Sequence, residues 1–264
     1  MGWRQRVTST QPGEPAGALE SPEAATPPEH RWGFGAFLVV EAVLLASAAF
    51  VSVLLGPAPP GRPTPVSDVL IGTITPTVLA ALVAVLITLW RGNGPRIDLR
   101  LEWRWADIRM GLKLGALGLV LTTISAFIWT QAVGESNATS AIGALVEDQP
   151  MSLTAAIIMF IYLAVLGPVC EEIIYRGLLW GAVERLPWGG ERWTRVAAFL
   201  LSTAVFAVSH LEPLRTTLLL VIAIPIGLAR LFTGRLPAAI VAHQMNNFLP
   251  AVALLLTTLG VTTL

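Results

Sequence analysis

The chain has 264 residues, 54% of them hydrophobic and only 13% charged, with 17 basic and 17 acidic residues that leave no net charge. A mean hydropathy of +0.69 lies beyond the range of soluble globular domains and marks a membrane protein. A neutral chain offers no basic surface to nucleic acid, and the single cysteine, Cys170, excludes an internal disulfide and a finger-type zinc site.

Residues 1–32 are rich in Pro, Gly, Ala, Ser and Glu, without a periodic apolar face or the basic-then-apolar order of a cleavable signal peptide. They read as a disordered cytoplasmic tail. A bilayer core of about 30 Å needs roughly 20 apolar residues per helix. Seven stretches qualify, near 34–56, 68–90, 110–133, 153–180, 194–211, 215–232 and 236–258. A half-broken or re-entrant segment would make eight. The expected fold is all-α, a polytopic transmembrane helical bundle. N-terminal helices with an interfacial loop occupy 33–150, and a motif-bearing core occupies 151–258.

Basic residues set the orientation. With the N-terminus in the cytoplasm, fourteen of the seventeen fall inside, against Arg62 and Arg215 outside and Arg176 within a span. Arg230 and Arg235 are counted with an inner loop. Residues 134–151 carry Glu135, Glu147 and Asp148 but no basic residue, which fits the outer side. A multi-pass protein of the cell membrane is expected, its first partner being the lipid bilayer. The 91–109 loop alternates Arg with Trp103 and Trp105 and is expected to anchor on the anionic inner surface. Gly111 and Gly115, and again Gly177 and Gly181, have the small-xxx-small spacing that lets helices approach closely.

Against this apolar background, an ionisable residue within a span marks a functional site unless pairing explains it. Glu41 stands alone and reads as a helix-packing residue. In GPVCEEIIYRGLLWG (167–181), Glu172 and Arg176 are four apart on one helical face and can close an ion pair. Glu171, about 100° round the helix, faces elsewhere and is free for chemistry. Gly167-Pro168 removes a backbone donor, which predicts a kink and a carbonyl open to water. Cys170 beside it reads as core.

His210 ends FAVSH, with Phe206 one turn earlier as a ring to pack beneath the imidazole. His243 opens HQMNN and shares its face with Asn247, with Asn246 at i+3. The turn between spans four and five centres near residue 190, with Glu171 19 residues before it and His210 20 after. Equal distances from a turn predict that Glu171 and His210 meet. His243 lies about 13 Å beyond the Thr233-Gly234 turn. Matching depths then requires the helix ends around Trp188–Arg195 to extend about two turns beyond the membrane. The site should occupy the inner half of the bilayer, open to the cytoplasm, with Glu171 within about 12 Å of His243.

EEIIYR (171–176), FAVSH (206–210) and HQMNN (243–247) resemble, in order, the EExxxR, FxxxH and HxxxN motifs of the CAAX prenyl protease and bacteriocin-processing family, the Abi-type intramembrane endopeptidases. The resemblance covers about residues 150–256. It implies peptide-bond hydrolysis within the membrane, on a peptide or membrane-protein substrate, by Glu171, His210, His243 and Asn247. Glu171 would take a proton from water and His210 would orient that water. His243 and Asn247 would stabilise the tetrahedral oxyanion, and Glu172, Arg176 and Phe206 would support them. A mechanism without a cofactor is preferred, because HExxH is absent and Asn is a poor zinc ligand. Zinc held by Glu171, His210 and His243 is the alternative. A proton-coupled transporter and a non-catalytic scaffold or immunity protein are the competing classes.

Overall fold

The computed structural model describes residues 31–58, 60–146 and 151–258. Residues 1–30 of the expected 1–32 tail and the acidic pair Glu147 and Asp148 lie outside the described residues. Long apolar runs, broken by Gly and Pro, fold into seven long helices: α1 (Phe34–Leu55), α2 (Val66–Arg91), α3 (Trp105–Val133), α4 (Leu153–Glu184), α5 (Glu191–Ser209), α6 (Thr216–Thr233) and α7 (Leu236–Thr258). Their bounds lie within five residues of the predicted spans. Short helical turns occupy Pro95–Asp98, Glu135–Ala138 and Ala141–Val146, and the described residues contain no strand.

Six of the seven are long and apolar enough to cross a membrane by length and composition. The exception is α5, whose opening Glu191, Arg192 and Arg195 shorten its apolar stretch. Residues 185–190 link α4 to α5.

Glycines bring α3 against α6 and α7. A Cβ on Gly111 would stand 2.7 Å from the Ala238 carbonyl oxygen, and one on Gly115 would stand 2.6 Å from Met245 Cβ and 2.9 Å from the Ala242 carbonyl oxygen. Backbone therefore packs on backbone there. Gly177 and Gly181 are also packing sites, but they receive Leu99 and Trp32 from loop segments instead of a neighbouring helix. At the N-terminal end of α3, buried Asp107 accepts two hydrogen bonds from Arg235, at 2.7 and 2.6 Å. That planar fork ties α3 to the α6–α7 link.

The 91–104 segment is only partly a surface anchor. Trp103 and Trp105 are exposed, but Asp98 and Leu99 are buried. Asp98 accepts from Trp32 Nε1 at 2.8 Å and from the Asn93 backbone N–H at 3.0 Å. Arg31 and Trp32, read from sequence with the tail, are also packed: the Arg31 N–H donates to the Arg91 carbonyl at 2.8 Å, and Trp32 is buried.

The site depends on an irregularity in α4. Ser152 caps its start, accepting from the Ala155 N–H. The helix then widens into π turns at Tyr162–Leu166 and Ile173–Leu179, on either side of Gly167–Glu172. Pro168 has no N–H to give the preceding turn, and a π turn is one way for a helix to continue past that gap. Side chains of α7 reach two carbonyls of this stretch, and Val165 stays exposed. Leu163 O accepts from Asn247 Nδ2 at 3.3 Å and Val165 O from Gln244 Nε2 at 3.5 Å, both from α7.

Candidate active site

Helix α4 supplies Glu171, Glu172 and Arg176; α5 supplies Phe206 and, as its C-cap, His210; α7 supplies His243, Asn246 and Asn247. Glu172 and Arg176 are fully buried, and Arg176 Nη1 donates to Glu172 Oε1 at 2.8 Å, as helical spacing predicts. The guanidinium also lies over the Phe206 ring, 4.4 Å from its centroid, and donates weakly to the Ala223 carbonyl at 3.4 Å. A charge far from water is thus met by a carboxylate, a ring face and a carbonyl.

Glu172 has a second partner. His243, itself buried, directs Nδ1 at Glu172 Oε1 across 2.9 Å. That contact turns His243 Nε2 towards Glu171, whose Oε2 lies 3.8 Å away. This is short of a direct hydrogen bond. The Glu171 side chain keeps 24% of its surface exposed, whereas Glu172 and Arg176 keep none. One charged group of the three can therefore reach water.

Residues 153–249 match the model of a family described as type II CAAX prenyl endopeptidase, Rce1-like. The stretch is similar to that family over 97 of the 264 residues (249 − 153 + 1). It runs from the first residue of α4 into α7 and contains all three motifs, in agreement with the resemblance seen in the sequence. No curated protein and no solved structure matches the chain.

The matched stretch brings the expected residues together with different pairings. His243 lies within the distance expected from Glu171. Among the described residues no direct hydrogen bond or ion pair joins His210 to Glu171, and His210 Nδ1 lies 2.7 Å from the Phe206 carbonyl oxygen one turn back. The two residues are not equidistant from the helix ends. Glu171 lies 13 residues before the end of α4 (184 − 171), and His210 lies 19 residues past the start of α5 (210 − 191).

Phe206 packs with His210, but edge-on, with centroids 4.7 Å apart and planes at 62°. It also packs on His243, centroids 5.7 Å apart, and so links the two imidazoles. Because Nδ1 of His210 faces a carbonyl, it carries the proton in the neutral ring and leaves Nε2 as an acceptor.

Asn247 occupies a structural position as well as a candidate one, since its amide holds the Leu163 carbonyl freed near Pro168. Asn246 is buried and accepts from Thr122 Oγ1 of α3 at 2.8 Å. Among the described residues, no group of three or more His, Cys, Asp or Glu side chains is placed to hold a metal ion. Nδ1 of each imidazole is turned to another partner, which leaves Nε2 as the ring nitrogen through which His210 and His243, with Glu171, would hold zinc in the alternative reading. Cys170 is buried and free.

Arg230 was not recognised from sequence. It is buried within α6, with its Nε donating to the Arg176 carbonyl at 3.1 Å, Nη1 donating to the Gly234 carbonyl, and its guanidinium over Trp180. It therefore supports the α4 turn that carries Arg176. Its place four residues before Gly234, a left-handed helix cap, is the local signal that distinguishes it from a loop arginine. Glu41 of α1 lies beside Tyr175, one helical turn on from Glu171, and Tyr175 packs edge-on against Phe206.

Proposed function

We propose that the protein is an intramembrane endopeptidase in which Glu171 activates the water that attacks a peptide carbonyl. The exposure of Glu171, set against the complete burial of Glu172 and Arg176, carries this reading. A base must reach both water and substrate, and Glu171 is the charged member of EEIIYR with such access.

The steps follow from the donors available. Glu171 takes a proton as the water oxygen bonds to the scissile carbonyl carbon, forming a tetrahedral oxyanion. His210, with Nδ1 on the Phe206 carbonyl, offers Nε2 to orient that water. His243, fixed through Nδ1 by Glu172, offers Nε2–H to the oxyanion when the ring is protonated. The second N–H of Asn247 is a further donor. The C–N bond then breaks, Glu171 returns its proton to the leaving nitrogen, and the products are a carboxylate and an amine. Oxyanion donors contribute about 3 kcal/mol each in other hydrolases. The substrate is a peptide or membrane protein that reaches the site from the cytoplasmic side, and the reaction takes no cofactor.

Purified protein in liposomes, incubated with a library of membrane peptides, tests the proposal. Wild type is expected to release defined fragments and to keep its activity after chelation. Equal fragment release by wild type and Glu171→Gln would remove the glutamate mechanism. Chelator-sensitive cleavage restored by zinc would replace it with the metal-dependent alternative.

A further inference from the structure

The first three helices lie outside the matched stretch and contribute no motif residue, yet α1 and α2 enclose two cavities of different character. One, at the α1 C-terminal end and the α2 N-terminal end, measures about 360 Å³ and has Asp68 at its rim with no basic residue among its lining. The other, at the opposite end of the same helix pair, measures about 440 Å³ and is lined by Arg31 and Arg91 with no acidic residue.

The second cavity is built around a mutual clasp. The Arg31 N–H donates to the Arg91 carbonyl and Arg91 Nε donates to the Arg31 carbonyl, both at 2.8 Å. This holds two cationic side chains at one mouth. Among the described residues, neither is in an ion pair. Behind them the walls are apolar, formed by Ala36, Val39 and Ile87, and Val39 is 53% exposed. Gly35 leaves its side of the groove open, since a Cβ there would meet no atom within 4 Å. The nearby carboxylate of Asp98 is already engaged by Trp32 and Asn93.

Two guanidinium groups above an apolar trough, at the end of a helix pair long enough to cross a membrane, match one ligand chemistry: a phosphate joined to an acyl chain. We propose that the groove between the start of α1 and the end of α2 binds an anionic phospholipid, with its phosphate between Arg31 and Arg91 and an acyl chain along Val39 and Ile87. Arginine suits the role because its planar fork can hold two phosphate oxygens at once. The cavity at the other end has similar size but lacks the cations, so charge assigns the lipid to this one.

Native mass spectrometry of the full chain, titrated in detergent with phosphatidylglycerol or phosphatidylcholine, tests the proposal. Wild type is expected to retain one phosphatidylglycerol about tenfold or more tightly than phosphatidylcholine, the scale set by two arginines at a membrane surface. Arg31→Gln with Arg91→Gln is expected to abolish that preference, and the double lysine variant to retain part of it. Gly35→Phe, at a position where a Cβ meets no atom within 4 Å, puts a ring on the groove wall and is expected to lose both lipids, so the test survives if the double glutamine variant fails to fold. Equal retention of the two lipids by wild type, or a preference that survives Gly35→Phe, would overturn the proposal. Displacement by glycerol 3-phosphate as effective as by the lipid would also overturn it, by assigning the site to a free phosphate.

Discussion

Glu172 Oε1 accepts from both Arg176 on its own helix and His243 on α7, at 2.8 and 2.9 Å, so a single buried oxygen joins the EExxxR and HxxxN motifs. Removing it should do more than break an ion pair. Glu172→Ala leaves Arg176 buried without its counter-charge, a loss of about 3–5 kcal/mol. It also frees the His243 ring to turn. Thermal unfolding in detergent should show the loss of stability, and peptide cleavage should fall with it. Glu172→Gln, which keeps the shape and one acceptor, is expected to recover part of the stability and little of the activity.

Asn247 and Pro168 form a second coupled pair, joined through the Leu163 carbonyl. Asn247→Ala leaves that carbonyl without its side-chain donor, at a cost of about 1–3 kcal/mol. Pro168→Ala in the same background restores a backbone N–H within α4. The double variant is therefore expected to unfold at a higher temperature than Asn247→Ala while its cleavage rate stays low. Recovery of rate together with stability would reduce Asn247 to a helix support.

These two couplings show why part of the site was legible and part was not. The Glu172–Arg176 pair depends only on helical period, and four residues still bring the groups together although Ile173–Leu179 is a π turn. The His243–Glu172 contact depends on which helices are neighbours, and no local pattern encodes that α7 lies against α4. The Glu171–His210 expectation used a turn centre and missed the six-residue offset between α4 and α5. The positive-inside count groups Arg230 with the inner basic residues, whereas Trp180 and two carbonyls allow it to be buried. The long helices were legible because twenty apolar residues in a row have few alternatives.

Close packing of α3 gives a third prediction. Gly115→Leu forces a side chain into Met245 and the Ala242 carbonyl, where even a Cβ would stand within 2.9 Å. Overpacking of this kind costs about 1–3 kcal/mol or more. Because α7 carries His243 two residues before Met245, cleavage should fall even under conditions where the fold persists. Unfolding curves and cleavage rates measured on the same preparation would show both effects.

The Asp107–Arg235 fork gives a fourth. Arg235→Ala strands a buried carboxylate, with an expected loss of about 1–3 kcal/mol. Asp107→Asn with Arg235→Gln, which removes both charges, is expected to lose less. The order of the three unfolding temperatures, wild type above the double variant above Arg235→Ala, checks it.

The central claim concerns Glu171, and the most direct measurement is the turnover of one cleaved membrane peptide by wild type and Glu171→Gln in the same liposomes. Loss of a general base predicts a fall in kcat of about 10²–10⁴-fold, with peptide binding unchanged. A Glu171→Gln enzyme that turns over within about threefold of wild type would contradict the account, because that change is well under one kcal/mol of barrier.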